Sequence, residues 1–247
     1  MKLDVHFTPA GLTLAEVQGR TVFAIDILRA TTSMCAAMSS GAKAIIPVAS
    51  TEEALRLAQT IGSDDVLLAG ERNCARIEGF QLGNSPLEMT EAAVRGKTLV
   101  VSTTNGTRAL LACQGAGAVY PACAGNLSLT AERAREALDI EGGMVVVCAG
   151  RGGAFSLDDA YAAGRLVSAA LGGSRARRGL NDAALTSLDL VRRYGDNWER
   201  ALGRSRAGRE LVRLGFADDV RASARPDAYP VLPIFQDRRV TLAGVPV

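Results

Sequence analysis

Val22-Phe23-Ala24-Ile25-Asp26-Ile27-Leu28-Arg29-Ala30-Thr31-Thr32 decides the fold class. An apolar run stops at a carboxylate and passes at once into an alanine-rich segment that ends at Gly41. This predicts a buried strand followed by a helix over about residues 30–40, with Gly41 as its stop. Such a junction puts Asp26, Arg29, Thr31 and Thr32 at a helix start, where free N–H groups and the helix dipole favour anions. The pattern recurs. Thr98-Leu99-Val100-Val101 runs into Ser102-Thr103-Thr104-Asn105-Gly106-Thr107-Arg108, and Met144-Val145-Val146-Val147-Cys148-Ala149 runs into Gly150-Arg151-Gly152-Gly153. Strands that end in polar, arginine-bearing loops imply a parallel α/β sheet with a ligand site along its C-terminal strand ends. The loops suit a phosphorylated small molecule.

Outward from this stretch, Ala44–Val48 and Val66–Ala69 read as strands. Between them Ser50 and Glu53 form a capping-box pattern at a helix start. The βαβαβ alternation argues for parallel pairing with right-handed crossovers. Residues 70–85 have no clear period, and a long irregular loop that begins at a strand end is a candidate site segment containing Glu71, Arg72 and Asn84. Ser85-Pro86-Leu87-Glu88 has the signature of a helix start. Leu3–Phe7 and Ala118–Tyr120 read as short strands, 131–138 as a charged surface helix, and Ser156-Leu157-Asp158-Asp159 as the start of an alanine-rich helix reaching about Leu171. Here the two acids serve equally as dipole partners or metal ligands. Residues 172–178 form a basic, solvated turn, and 181–215 read as arginine-studded helices. Tyr229–Phe235 is expected to be an edge strand or a late crossover.

Composition narrows the function classes. Hydrophobic residues make up 48% of the 247-residue chain and aromatics 4%, which suits Val- and Ala-rich α/β packing in one domain. The net charge of +2 gives no reason to expect nucleic acid or an anionic membrane as partner. The arginine-rich tail also lacks the interleaved aromatics that stack on bases, and it leaves room for a homo-oligomer contact. No signal peptide or apolar span is visible, so a cytoplasmic location is expected. The five cysteines show no Cys-x-x-Cys spacing and are expected to be reduced thiols. With His6 the only histidine, histidine triads and phosphohistidine chemistry are hard to build. Gly96-Lys97-Thr98 is not a P-loop, because Glu91 stands where its first glycine belongs and a strand follows. No cysteine has an arginine six residues on, as a Cys-based phosphatase requires. Leu28 occupies the place of the second acid in an Asp-x-Asp-x-Thr phosphatase.

Five stretches taken together carry a family resemblance: Asp26–Thr32, Gly70-Glu71-Arg72, Gly79-Phe80-Gln81-Leu82-Gly83-Asn84-Ser85-Pro86, Ser102–Thr107 and Gly150–Asp159. In this order, over roughly residues 22–165, they resemble the 2-phosphosulfolactate phosphatase family, also called ComB. The resemblance implies a three-layer α/β/α fold and a Mg²⁺-dependent phosphatase that converts 2-phosphosulfolactate to sulfolactate, an activity associated with coenzyme M biosynthesis. The family's last motif has Glu-Asp where this chain has Asp158-Asp159. Beyond about residue 170 no motif matches.

On this reading Asp26, Glu71 and Asp159 are the leading metal-binding or water-activating carboxylates, with Asp158 next. Arg29, Arg72, Arg108 and Arg151 are expected to bind the anionic groups, with Thr31, Asn84, Thr103, Thr104, Asn105, Gly106 and Thr107 completing the cradle. Direct attack by water is preferred to a phospho-aspartate at Asp26. Two other readings stay open at this point: a non-catalytic binder of phosphorylated or sulfonated acids, and a phosphatase for another 2-phospho-carboxylic acid.

Overall fold

Strand β2 (Thr21–Ile25) is buried at every position and pairs in parallel with a strand on each side, as expected for a run covered on both faces. The computed structural model describes residues 2–62, 65–173 and 178–244. Most of the basic turn read at 172–178 lies outside them. The other strands are β1 (Lys2–His6), β3 (Ala44–Pro47), β4 (Val66–Arg72), β5 (Ala75–Arg76), β6 (Thr98–Ser102), β7 (Ala118–Ala122), β8 (Gly143–Cys148), β9 (Pro233–Gln236) and β10 (Arg239–Leu242). The helices are α1 (Leu14–Val17), α2 (Ala30–Ser39), α3 (Thr51–Ile61), α4 (Glu91–Val94), α5 (Gly106–Ala112), α6 (Leu127–Asp139), α7 (Leu157–Ala170), α8 (Asp182–Tyr194), α9 (Trp198–Arg204), α10 (Arg206–Arg213) and α11 (Ala217–Ser223).

The strands form one mainly parallel sheet in the order β1-β8-β2-β7-β9-β10-β3-β6-β4-β5. Its parallel limbs, β1-β8-β2-β7 and β3-β6-β4, are joined by the antiparallel hairpin β9–β10. Each seam holds a single register pair, Val119 with Phe235 and Val240 with Ile45. The residues expected at an edge or in a late crossover therefore lead into the middle of the sheet. Pro233, the first residue of β9, accounts for part of this, since a strand can begin with a residue that donates no bond. β2 and β3 are consequently not neighbours, although one helix connects them.

Period-2 alternation sends β2 and β8 into two cores. Phe23, Ile25, Met144 and Val146 face Ala131 and Ala134 of α6, Tyr161 and Leu166 of α7, and Trp198 of α9. Val22, Ala24, Val145 and Val147 share the second core with Ile45, Leu99 and Val101 of the other limb, Met34 and Ala37 of α2, and Leu110 of α5. A third cluster packs Ala54 of α3 on Val100 and Leu68. These layers give the expected α/β architecture. At α3, Ser50 Oγ accepts from Glu53 N at 3.1 Å and the Glu53 carboxylate accepts from Ala49 N at 2.9 Å.

Where a longer helix was expected after Ser85, a one-turn 3₁₀ segment at Pro86–Glu88 ends before α4. Glu88 turns back to accept from Gly83 N instead of closing a capping box. The irregular stretch after β4 begins as a tight hairpin, with Asn73 and Cys74 both in the left-handed region (φ 52° and 68°) between Arg72 and Ala75. The five cysteines are free. Among the described residues no helix is long and apolar enough to cross a membrane.

Helices α7 and α8 approach so closely at Gly164 that a Cβ there would lie 2.1 Å from the Ser187 carbonyl oxygen. The obstacle is backbone, so Gly164→Ala must push α8 away. We expect a stability loss of about 1–3 kcal/mol, seen as a lower denaturant midpoint at unchanged slope.

Candidate active site

The ends of β2, β4, β6 and β8 converge on one cleft of about 220 Å³. It is lined by Asp26, Leu28, Arg29, Glu71, Asn73, Cys74, Asn84, Thr104, Asn105, Arg151, Gly152 and Leu211. Backbone donors hold its carboxylates in place. Asp26 Oδ1 accepts from Ala30 N at 3.3 Å, as the first turn of α2 folds back on the strand end. Glu71 spans two strand ends: its oxygens accept from Thr104 N at 2.8 Å and Cys74 N at 2.9 Å. Asp159 ties β8 to β2 by accepting from Ile27 N at 2.9 Å and Gly150 N at 3.0 Å. Asn105 Oδ1 accepts from Gly152 N at 3.1 Å and links the β6 and β8 loops.

Burial dominates the electrostatics. It raises the Asp26 carboxyl to about 7, with the Ala30 N–H opposing it and the Glu71 and Asp158 charges adding to it. Asp158 is also raised by burial, opposed by its bond from Ser156 Oγ, and Asp159 is raised further by burial and by the charges of Asp158 and Asp26. Burial and Glu71 push the Cys74 thiol up as well, so this residue of the cleft is no thiolate nucleophile.

Of the expected binding residues, Arg29, Asn84, Thr104, Asn105 and Arg151 line the cleft. The Thr104 hydroxyl is buried without a hydrogen-bond partner in the protein, a donor left over for a ligand. Arg29 is 3% exposed; it donates to Asp219 at 2.6 Å and to the Cys74 carbonyl at 2.7 Å, and its guanidinium lies 4.6 Å from the Phe216 ring centre. Arg151 donates to Glu210 at 2.5 Å.

The remaining expected residues sit around the cleft. The Thr31 hydroxyl donates to the Asp26 carbonyl at 2.9 Å and accepts from Asp26 N, shaping the strand end. Thr103 and Thr107 bond each other across the first turn of α5. A Cβ at Gly106 would meet Ala30 Cβ at 2.4 Å and Asp26 Oδ2 at 2.8 Å, so its glycine lets α5 close against the Asp26 carboxylate. Arg72 donates to Ser102 Oγ at 2.9 Å, outside the cleft lining. Arg108 is exposed on α5, and Asp158 lies buried behind the cleft. His6 faces Glu16 at 3.8 Å, away from the site.

The C-terminal segment contributes what the sequence reading missed: Asp219, Glu210, Phe216 and Leu211. Asp219 also accepts from Ser85 Oγ at 2.6 Å, tying two N-terminal motifs to α11. One signal was available. Phe216, Asp219, Val220 and Ser223 fall on one face at helical spacing, which puts an acid among residues expected to be buried.

Fold and cleft define an α/β enzyme that presents carboxylates and arginines to a small anionic ligand at converging strand ends. The model of the family described as 2-phosphosulpholactate phosphatase matches residues 6–238, and the chain belongs to that family. It is 39% identical over 227 residues to a protein of Symbiobacterium thermophilum named "Probable 2-phosphosulfolactate phosphatase", covering 92% of this chain and 96% of that one. Proteins of the same name from Carboxydothermus hydrogenoformans and Clostridium novyi are 37% and 31% identical, covering 94% and 98% of this chain and 92% and 100% of theirs. The chain is accordingly a phosphoric monoester hydrolase.

Because the folded-state pKa of Asp26 lies above its unfolded value of 3.8, its contribution to stability is present below pH 3.8 and lost as pH rises through about 7. Asp26→Asn mimics the protonated acid. In chelator it should unfold at a higher temperature than wild type at pH 8, and the gap should close as pH falls towards 4. Scanning calorimetry across that range checks the sign.

Proposed function

We propose that the enzyme hydrolyses 2-phosphosulfolactate to sulfolactate and phosphate with the help of Mg²⁺. The observation that carries the reading is the cleft itself. Buried carboxylates, Asp26 and Glu71, face the same small volume as Arg29, Arg151 and the unpartnered Thr104 hydroxyl. A purely anion-binding protein would not place buried acids against its ligand. Two arginines lining the cleft suit a substrate that carries carboxylate and sulfonate besides its phosphate.

The donor set fits magnesium. Its oxygens are hard, and the Asp26 carboxyl, raised mainly by burial and further by the charges of Glu71 and Asp158, is a group whose charge a cation would offset. Among the described residues no three acid, histidine or cysteine side chains form a ready metal cage. An ion held by one or two carboxylates, water and the substrate phosphate needs none. Asp26 and Glu71 would hold it, with Asp158 and Asp159 buried behind them. When bound, the ion would neutralise phosphoryl charge and lower the barrier to attack.

The chain's own residues then orient the reaction. Thr104, Asn84 and Asn105 hold the phosphoryl group, and Arg29 and Arg151 hold the acidic groups. Water attacks phosphorus as the bond to the leaving oxygen breaks. Asp26, whose carboxylate lines the cleft, accepts the water's proton. The leaving alkoxide is protonated from solvent.

Phosphate release from 2-phosphosulfolactate should be rapid in magnesium and lost in excess chelator. Asp26→Asn should cost about 10²–10⁴-fold in kcat with the fold intact. Arg29→Lys keeps charge but loses the planar fork, and kcat/KM should fall. Absence of release by the folded wild type, or full activity in Asp26→Asn, would remove this mechanism.

A further inference from the structure

Both arginines of the cleft are paired with acids of the C-terminal helices, but in opposite ways. The Arg29–Asp219 pair is buried, its side chains 3% and 4% exposed. Arg29 is further held by the Cys74 carbonyl and the Phe216 ring. Separating a buried pair leaves an uncompensated charge, so this arginine is fixed. The Arg151–Glu210 pair is 29% exposed on both sides and lies at the cleft wall. Pairs so exposed are worth little and exchange partners at small cost.

Glu210 has a second cation in reach: its Oε1 lies 4.0 Å from the Arg213 guanidinium, while its Oε2 bonds Arg151. Glu210 therefore need not lose its charge partner when Arg151 turns away. Arg151 is followed by Gly152 and Gly153, both in the left-handed region (φ 59° and 79°) and both facing open space at the loop tip. The bonds of Gly152 N to Asn105 and of Arg151 to Ala154 hold the loop backbone, so the exchange needs only the Arg151 side chain to turn.

We propose that Glu210 is a resident counter-ion, displaced from Arg151 by an acidic group of the substrate and then carried by Arg213. This deepens the phosphatase reading, on which it rests, by assigning a selectivity device. A phosphate ester with a neighbouring carboxylate or sulfonate offers Arg151 a new partner. An ester without one leaves Arg151 on Glu210, and that wall of the cleft stays neutralised. The chain Arg213–Glu210–Arg151 thus selects polyanionic phosphate esters over simple ones.

The test compares wild type, Glu210→Gln and Arg213→Gln on 2-phosphosulfolactate, 2-phospholactate and isopropyl phosphate, which has a methyl group where 2-phospholactate has its carboxylate. Binding of sulfolactate is followed in parallel by calorimetry. Glu210→Gln removes the competing charge and should lower KM for both acid-bearing esters about two- to fivefold, with kcat and the KM for isopropyl phosphate unchanged. Arg213→Gln weakens the alternative partner of Glu210 and should raise KM for the same two esters. A merely structural role for Glu210 would not produce opposite signs. Unchanged constants in both variants, equal shifts for isopropyl phosphate, or weaker binding in both variants would overturn the proposal. If wild type hydrolysed none of the esters, the phosphatase reading alone would fail, and tighter sulfolactate binding by Glu210→Gln would still support the displacement.

Discussion

Asp26, Glu71, Asp158 and Asp159 are each no more than 8% exposed, and the strand-end loops are arranged around them. A buried carboxylate is costly unless donors reach it. Ala30 N serves Asp26, Thr104 N and Cys74 N serve Glu71, Ile27 N and Gly150 N serve Asp159, and Ser156 Oγ serves Asp158. Two of these bonds, from Thr104 N to Glu71 and from Ile27 N to Asp159, cross from one strand end to another. The charges that need solvating thereby fix the distances between the loops that bear them.

The same constraint explains why the site is incomplete without the C-terminal helices. Arg29 would be a buried cation in an apolar setting if Asp219 did not meet it, and Phe216 covers its face. Removing Asp219 alone should cost roughly 3–5 kcal/mol, since the arginine cannot reach water without opening the site. The segment packs as part of the first core, Trp198 of α9 lying edge-on to Tyr161 of α7 at 5.0 Å. A stretch without a recognisable motif thus supplies a wall, a counter-ion and an apolar lining residue, Leu211.

The site shows where sequence reading reaches and where it stops. Residues that act through local geometry were legible. Ser50 with Glu53, and Asp26 at the strand end, depend on bonds within a few residues, which spacing encodes. Arg108 and Arg72 show the limit. Both lie in site-bearing loops, but one side chain leaves on the outer face of α5 and the other bonds Ser102, because helix phase and strand alternation, not loop membership, set where a side chain points. Thr103 and Thr107, read as part of a cradle, spend their hydroxyls on the helix start.

The sequence by itself determined the α/β class, the buried strands with carboxylates at their ends, the motifs that place the chain in its family, and most residues of the cleft. These follow from hydrophobic period and short-range bonding, which are properties of neighbours along the chain. Only the tertiary structure decided that the late hairpin enters the middle of the sheet, that Glu71 bridges two strand ends, and that Asp219 and Glu210 hold the arginines. Those contacts join residues up to 190 positions apart. Their partners are chosen by which buried charges and open strand edges come together in space, and no spacing in the chain records that choice.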